Sequence, residues 1–99
     1  MRLFKISQEI NNDYDTYSDA VVCAEDEGEA QKIHPCGYLD IDEEGYFGYP
    51  AGKGGRTKFE RISCSYDWVL NIKDVKVEYI GEADNKLKKG VVCASYHAG

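Results

Sequence analysis

The sequence predicts an α+β domain: a mainly antiparallel sheet of about four or five strands, one helix packed on it, and a β-hairpin inserted in the middle. Three observations lead there. Short alternating or β-branched runs stand near both ends of the chain, at 3–7, 20–24, 75–81 and 90–96. One helix signal lies between them, from Asp26 to the proline at 35. The 99 residues suffice for a single domain, 1–99, with a single core and a less regular middle, 36–68.

Leu3, Phe4 and Ile6, interleaved with Lys5 and Ser7, read as a strand. Gln8 to Asp19 follows as a polar connection whose Asn and Asp side chains favour turns, with Tyr14 and Tyr17 expected to pack down on the sheet. Ala20 to Ala24 is apolar at every position, as expected of an interior strand covered on both faces. Asp26, with Glu29 three residues on, then fits a capping box at the positive end of the helix dipole, and Ala30 and Ile33 form the inward face. Pro35 ends the helix by excluding His34 from the helical region. Gly28 weakens it by about 1 kcal/mol relative to alanine, so the helix needs the sheet.

In the middle, Tyr38 to Asp42 alternates like an exposed strand, Glu43-Glu44-Gly45 can turn, and Tyr46 to Tyr49 can return, a hairpin with one wet face. The glycine-rich basic stretch from Pro50 to Lys58 is expected to be the most mobile part of the chain. Trp68, Val69 and Leu70 form an anchor into the core, and Asn71 to Asp74 a turn. The run from Val75 to Gly81 alternates most cleanly, with Val75, Val77 and Tyr79 on one face and Lys76, Glu78 and Ile80 on the other. A polar connector, Glu82 to Lys89, leads to the last strand. Val91-Val92-Cys93-Ala94 repeats Val21-Val22-Cys23-Ala24, either because two neighbouring interior strands face one helix or because buried strands resemble one another.

The net charge of −6 is unevenly spread: residues 1–50 hold 3 bases against 12 acids, and residues 51–99 hold 9 against 6. A duplex-binding protein shows a basic stripe, so direct duplex binding is disfavoured and a partner protein with a basic surface is favoured. No apolar run approaches the roughly 20 residues that span a bilayer, and Met1 to Lys5 reads as the start of a strand and not as a leader. Cys23, Cys36, Cys64 and Cys93 lack metal-ligand spacing, with only His34 near Cys36 as a local donor pair. Free thiols, no metal, no cofactor and a cytoplasmic setting are the expectations.

The runs Leu3-Phe4-Lys5-Ile6-Ser7-Gln8, Asn12-Asp13-Tyr14-Asp15-Thr16-Tyr17, Ala20-Val21-Val22-Cys23-Ala24, His34-Pro35, Val77 to Ala83 and Val92 to Gly99 resemble small uncharacterised proteins encoded in bacteriophages and prophages. The resemblance covers both ends of the chain and leaves Cys36 to Trp68 unmatched. It implies a genetic setting, the cytoplasm of a bacterial host, and no functional residues. Accessory proteins of that class often inhibit a host protein by occupying its surface.

The chemistry-bearing motifs are weak. Asp13, Asp15 and Asp19 have neither the glycine nor the closing glutamate of a calcium loop and read as a solvated turn. Gly52 to Thr57 lacks the residue order of a P-loop, although Lys53, Arg56 and Lys58 with free backbone amides could bind an anion such as a nucleotide phosphate. His34 and His97 have no nucleophile at a diagnostic spacing; His97 could meet Asp13 or Asp15 if the first and last strands pair, as an acid/base pair or as an ordinary surface contact.

Two acidic clusters remain, Glu25, Asp26, Glu27 and Glu29, then Asp40, Asp42, Glu43 and Glu44, the second interleaved with Tyr38, Tyr46 and Tyr49. Separately they are a helix start and a soluble hairpin; on one flank they form an acidic, tyrosine-rich contact surface. The leading expectation is a non-enzymatic interaction protein that binds and inhibits a host protein, one handling nucleic acid in defence, through that surface. The alternatives are a small-ligand or nucleotide sponge built on the basic loop and a small hydrolase using His97 and an aspartate. A homodimer is compatible with each.

Overall fold

The structure, a computed structural model, describes residues 1–10, 15–63 and 67–97, the last through its backbone. In chain order the elements are β1 (Arg2–Ser7), β2 (Thr16–Ala24), α1 (Glu27–Gln31), β3 (Asp40–Ile41), β4 (Phe47–Tyr49), β5 (Glu60–Arg61), a 3-10 turn (Ile72–Asp74), β6 (Lys76–Glu82) and β7 (Gly90–His97). The domain is α+β, mostly sheet with little helix. A four-stranded antiparallel sheet has the order β6-β1-β2-β7, and a second sheet the order β3-β4-β5.

Register explains the core. Phe4 lies opposite Val22 and Tyr79, and Ile6 opposite Ala20 and Val77, so period-two alternation sends one set of side chains to a common face. Phe4, Ile6, Ala20, Val22 and Ala24 are buried there, covered by Ala30 of α1, Phe47 of β4, and Trp68, Val69 and Val75. The alanines of β2 and α1 let the helix approach the sheet closely. Trp68 and Val69 anchor the core as the sequence predicts, without belonging to either sheet.

The helix follows its sequence signal. The Asp26 side chain caps it, accepting from the Glu29 amide at 2.9 Å. The reciprocal half of the box is not used, because the Glu29 carboxylate pairs with Lys89. At the other end Gln31 Nε2 donates to the Ile72 carbonyl at 2.8 Å and ties the helix to the 3-10 turn.

Two expectations are corrected. The run Val91 to Ala94 is not interior: β7 neighbours β2, as the echo suggested, but forms an edge of the sheet, with Val92 45 % exposed and Cys93 and Ala94 also exposed. Only Val91 packs against the core. The polar connection ends earlier than predicted, since β2 starts at Thr16 and Tyr17 is a strand residue opposite Tyr96; Tyr14 lies outside the described residues.

The central hairpin forms as the sequence predicts, β3 pairing with β4 so that Ile41 lies opposite Phe47, and it also packs into the core. Phe47 is fully buried, its amide donates to the Leu70 carbonyl at 2.9 Å, and its carbonyl accepts from Ile62 at 3.1 Å. Gly48 permits the arrangement: a Cβ there would stand 2.4 Å from the Glu60 carbonyl oxygen of β5. Gly45, at φ 84°, makes the preceding turn.

Candidate functional site

The hairpin between β3 and β4 is closed by Asp42, whose Oδ1 accepts from the amides of Glu44 at 2.9 Å and Tyr46 at 3.0 Å. Arg61 of β5 then clamps it, with Nε 2.5 Å from Asp42 Oδ2, Nη2 3.0 Å from Glu44 Oε1, and its guanidinium 4.2 Å above the Tyr46 ring. Partial burial works against the Asp42 carboxylate, yet the Tyr46 amide and the guanidinium together hold it below the usual aspartate range. Arg56 repeats the device nearby, 4.1 Å above the Tyr49 ring and 3.0 Å from Glu60.

Much of the predicted contact surface is therefore engaged internally. Asp42, Glu44 and Tyr46 serve Arg61, Tyr49 and Arg56 serve each other, Asp26 caps α1, and Glu29 meets Lys89. Glu25, Glu27, Asp40 and Glu43 are exposed and carry no ion pair among the described residues. Glu29 and Asp40, one from each cluster, line a common cleft beside the start of β7, whereas Asp26 and Glu27 line a different depression with Arg2, Phe4 and Tyr79. Of the three tyrosines only Tyr38 stands free, 65 % exposed.

Tyr38 borders a cleft of about 350 Å³ with Cys36, Leu39, Tyr49, Arg61 and Asp67. Behind it lies His34, wholly buried where the chain leaves α1 at Pro35, its ring edge-on to Tyr17, Phe47 and Trp68. Nδ1 accepts the Cys36 amide at 3.1 Å, which leaves the proton on Nε2, 3.6 Å from Asp67 Oδ1. Burial lowers the His34 pKa to about 4, so the ring is neutral at pH 7. Burial also raises the Asp67 carboxyl, and no Lys or Arg pairs with it among the described residues. Its carbonyl, accepting the Tyr17 amide at 2.8 Å, fixes the residue against the start of β2.

Cys36, His34 and Asp67 do not form an activated thiol. Both imidazole nitrogens are turned elsewhere, and burial raises the Cys36 thiol above its ordinary value, favouring the un-ionised form. Asp67 escaped the sequence reading because it is a lone acid beside the Trp68 anchor, with no motif to mark it.

The other candidates fall as follows. In the basic loop Arg56 is taken by Tyr49 and Glu60, and Lys53 and Lys58 stay exposed. β1 and β7 are separated by β2, but β2–β7 pairing sets His97 opposite Thr16, next to Asp15; its side chain and Asp13 lie outside the described residues. Among the described residues no group of three or more His, Cys, Asp and Glu is placed to hold a metal ion, and Cys23, Cys36 and Cys93 are free thiols, Cys64 lying outside them. Among the described residues no helix is long and apolar enough to cross a membrane. Compared with protein-family models, with curated proteins and with solved structures, the chain matches none.

Proposed function

We propose that this protein works by contact, binding a partner protein that presents basic side chains, with the cleft bordered by Tyr38, Tyr49 and Asp67 as the seat and the exposed acids Asp40 and Glu43, elsewhere on the surface, as steering charge. The reading rests on Asp67. A partly desolvated carboxylate without a cation is unfavourable as it stands, and a partner's arginine or lysine reaching it between two tyrosines would relieve that cost. Tyrosine is among the residues that dominate interface energetics, and unpaired exposed acids steer a basic partner to it. A protein bound in this way would cover a basic groove that otherwise holds nucleic acid, which is how inhibition of a host nucleic-acid-handling protein would follow.

The test is affinity capture from a bacterial lysate with mass spectrometry, comparing the native protein with Tyr38→Ala, Asp67→Asn and Glu43→Lys. These positions avoid the Arg61 clamp, so the fold should persist by circular dichroism. A partner held by the native chain and by Lys53→Glu, and weakened at least about tenfold by Tyr38→Ala and Asp67→Asn, supports the reading. The same partner bound equally by all variants rejects this cleft.

A further inference from the structure

The two edges of the main sheet are unlike. β6, Lys76–Glu82, carries Lys76, Glu78 and Glu82, and ion pairs reach across from Glu9 to Lys76 at 2.9 Å and from Arg2 to Glu82 at 3.8 Å. Charges of this kind are the ordinary protection of a strand edge against pairing with another chain. β7, Gly90–His97, reads GVVCASYH and has no Asp, Glu, Lys or Arg over eight residues. Among the described residues no strand pairs with its outer edge, and Val92 and Tyr96 are 45 % and 48 % exposed.

We infer that β7 is an assembly edge, on which a second copy of this chain docks by antiparallel pairing of β7 with β7, joining the two four-stranded sheets into one of eight strands. Charge complementarity selects a second copy. The chain enters β7 past Lys86, Lys88 and Lys89, all exposed, and of these only Lys89 has an ion-pair partner, Glu29, among the described residues. It leaves β7 beside acids: Thr16, next to Asp15, pairs with His97, and the carboxylates of Asp15 and Asp67 lie near enough to Tyr96 to raise its phenol, after burial itself. Antiparallel pairing sets the basic entry of each copy against the acidic exit of the other, twice by symmetry. Parallel pairing would set like ends together.

The same logic picks a register. With Cys93 opposite its own counterpart, Val92 faces Ala94, Val91 faces Ser95, and Gly90 faces Tyr96. Tyr96, its ring packed edge-on against Tyr17 of the same sheet at 4.8 Å, then stands opposite a glycine that has no side chain to crowd it.

Sedimentation of the full chain under reducing conditions, over a concentration series, tests this. The expected result is a monomer–dimer equilibrium that the double variant Val92→Lys/Ala94→Lys abolishes, since it opposes like charges directly in the paired strands, while Ile80→Lys on the β6 edge leaves it unchanged. Mild oxidation of the native dimer should join Cys93 to Cys93. Amide hydrogen exchange on the unaltered protein gives a second readout that needs no variant: β7 amides should become more protected as concentration rises, and β6 amides should not. A monomer at every concentration up to about 1 mM, a dimer indifferent to the double lysine, a cross-link through another cysteine, or β7 protection independent of concentration would each overturn the inference.

Discussion

His34 Nε2 and Asp67 Oδ1 stand 3.6 Å apart, a proton donor and a carboxylate held just beyond hydrogen-bond distance. The imidazole is sealed among Tyr17, Phe47 and Trp68, and its other nitrogen is occupied by the Cys36 amide. One contact thus joins the end of the helix, the start of the second layer and the segment that anchors the core.

Burial of this imidazole makes stability pH-dependent. The His34 pKa is lowered from 6.5 to about 4, so between those values the unfolded chain binds more protons and stability falls as pH drops. The full loss, completed below pH 4, is on the order of 3 kcal/mol. Asp67, whose carboxyl is raised, acts in the opposite sense between 3.8 and its shifted value and offsets part of the loss. Urea midpoints should fall from pH 7 to pH 4 in the native protein, and His34→Gln should flatten the profile above pH 5. An unchanged slope in that variant would mean that another group carries it.

Phe47→Ala should cost about 3 to 5 kcal/mol, the range for removing a fully buried phenylalanine. A ring on a peripheral hairpin would cost much less. Denaturant unfolding followed by Trp68 fluorescence measures the difference directly, and a loss under about 1 kcal/mol would contradict a two-layer core.

Asp26 separates capping from charge. Asp26→Asn keeps a side-chain oxygen for the Glu29 amide and should leave stability nearly unchanged, whereas Asp26→Ala should lower it by about 1 kcal/mol. Equal losses in the two variants would show that the charge and not the cap matters.

The basic loop should not hold a nucleotide, because Arg56 is committed to Tyr49 and Glu60. A thermal-shift panel of nucleotides is expected to give no change. Any ligand present at a hundred times its dissociation constant would stabilise the fold by about 2.7 kcal/mol, a displacement that is easily seen.

Local chemistry was enough, from sequence, for every element whose cause lies within a few neighbouring residues. Asp26 and Glu29 specify the start of α1, alternation specifies β1 and β6, and Trp68-Val69 announces an anchor wherever it lands, because capping, periodicity and hydrophobicity are properties of short windows. Tertiary structure alone decided the rest. That β7 is an edge although its residues match those of the interior strand β2, that Phe47 belongs to the core, that Arg56 and Arg61 cover Tyr49 and Tyr46, and that Asp67 comes to face His34 all depend on contacts between segments far apart in the chain. Burial and pairing are set by which segments meet, and no short window of sequence contains that information.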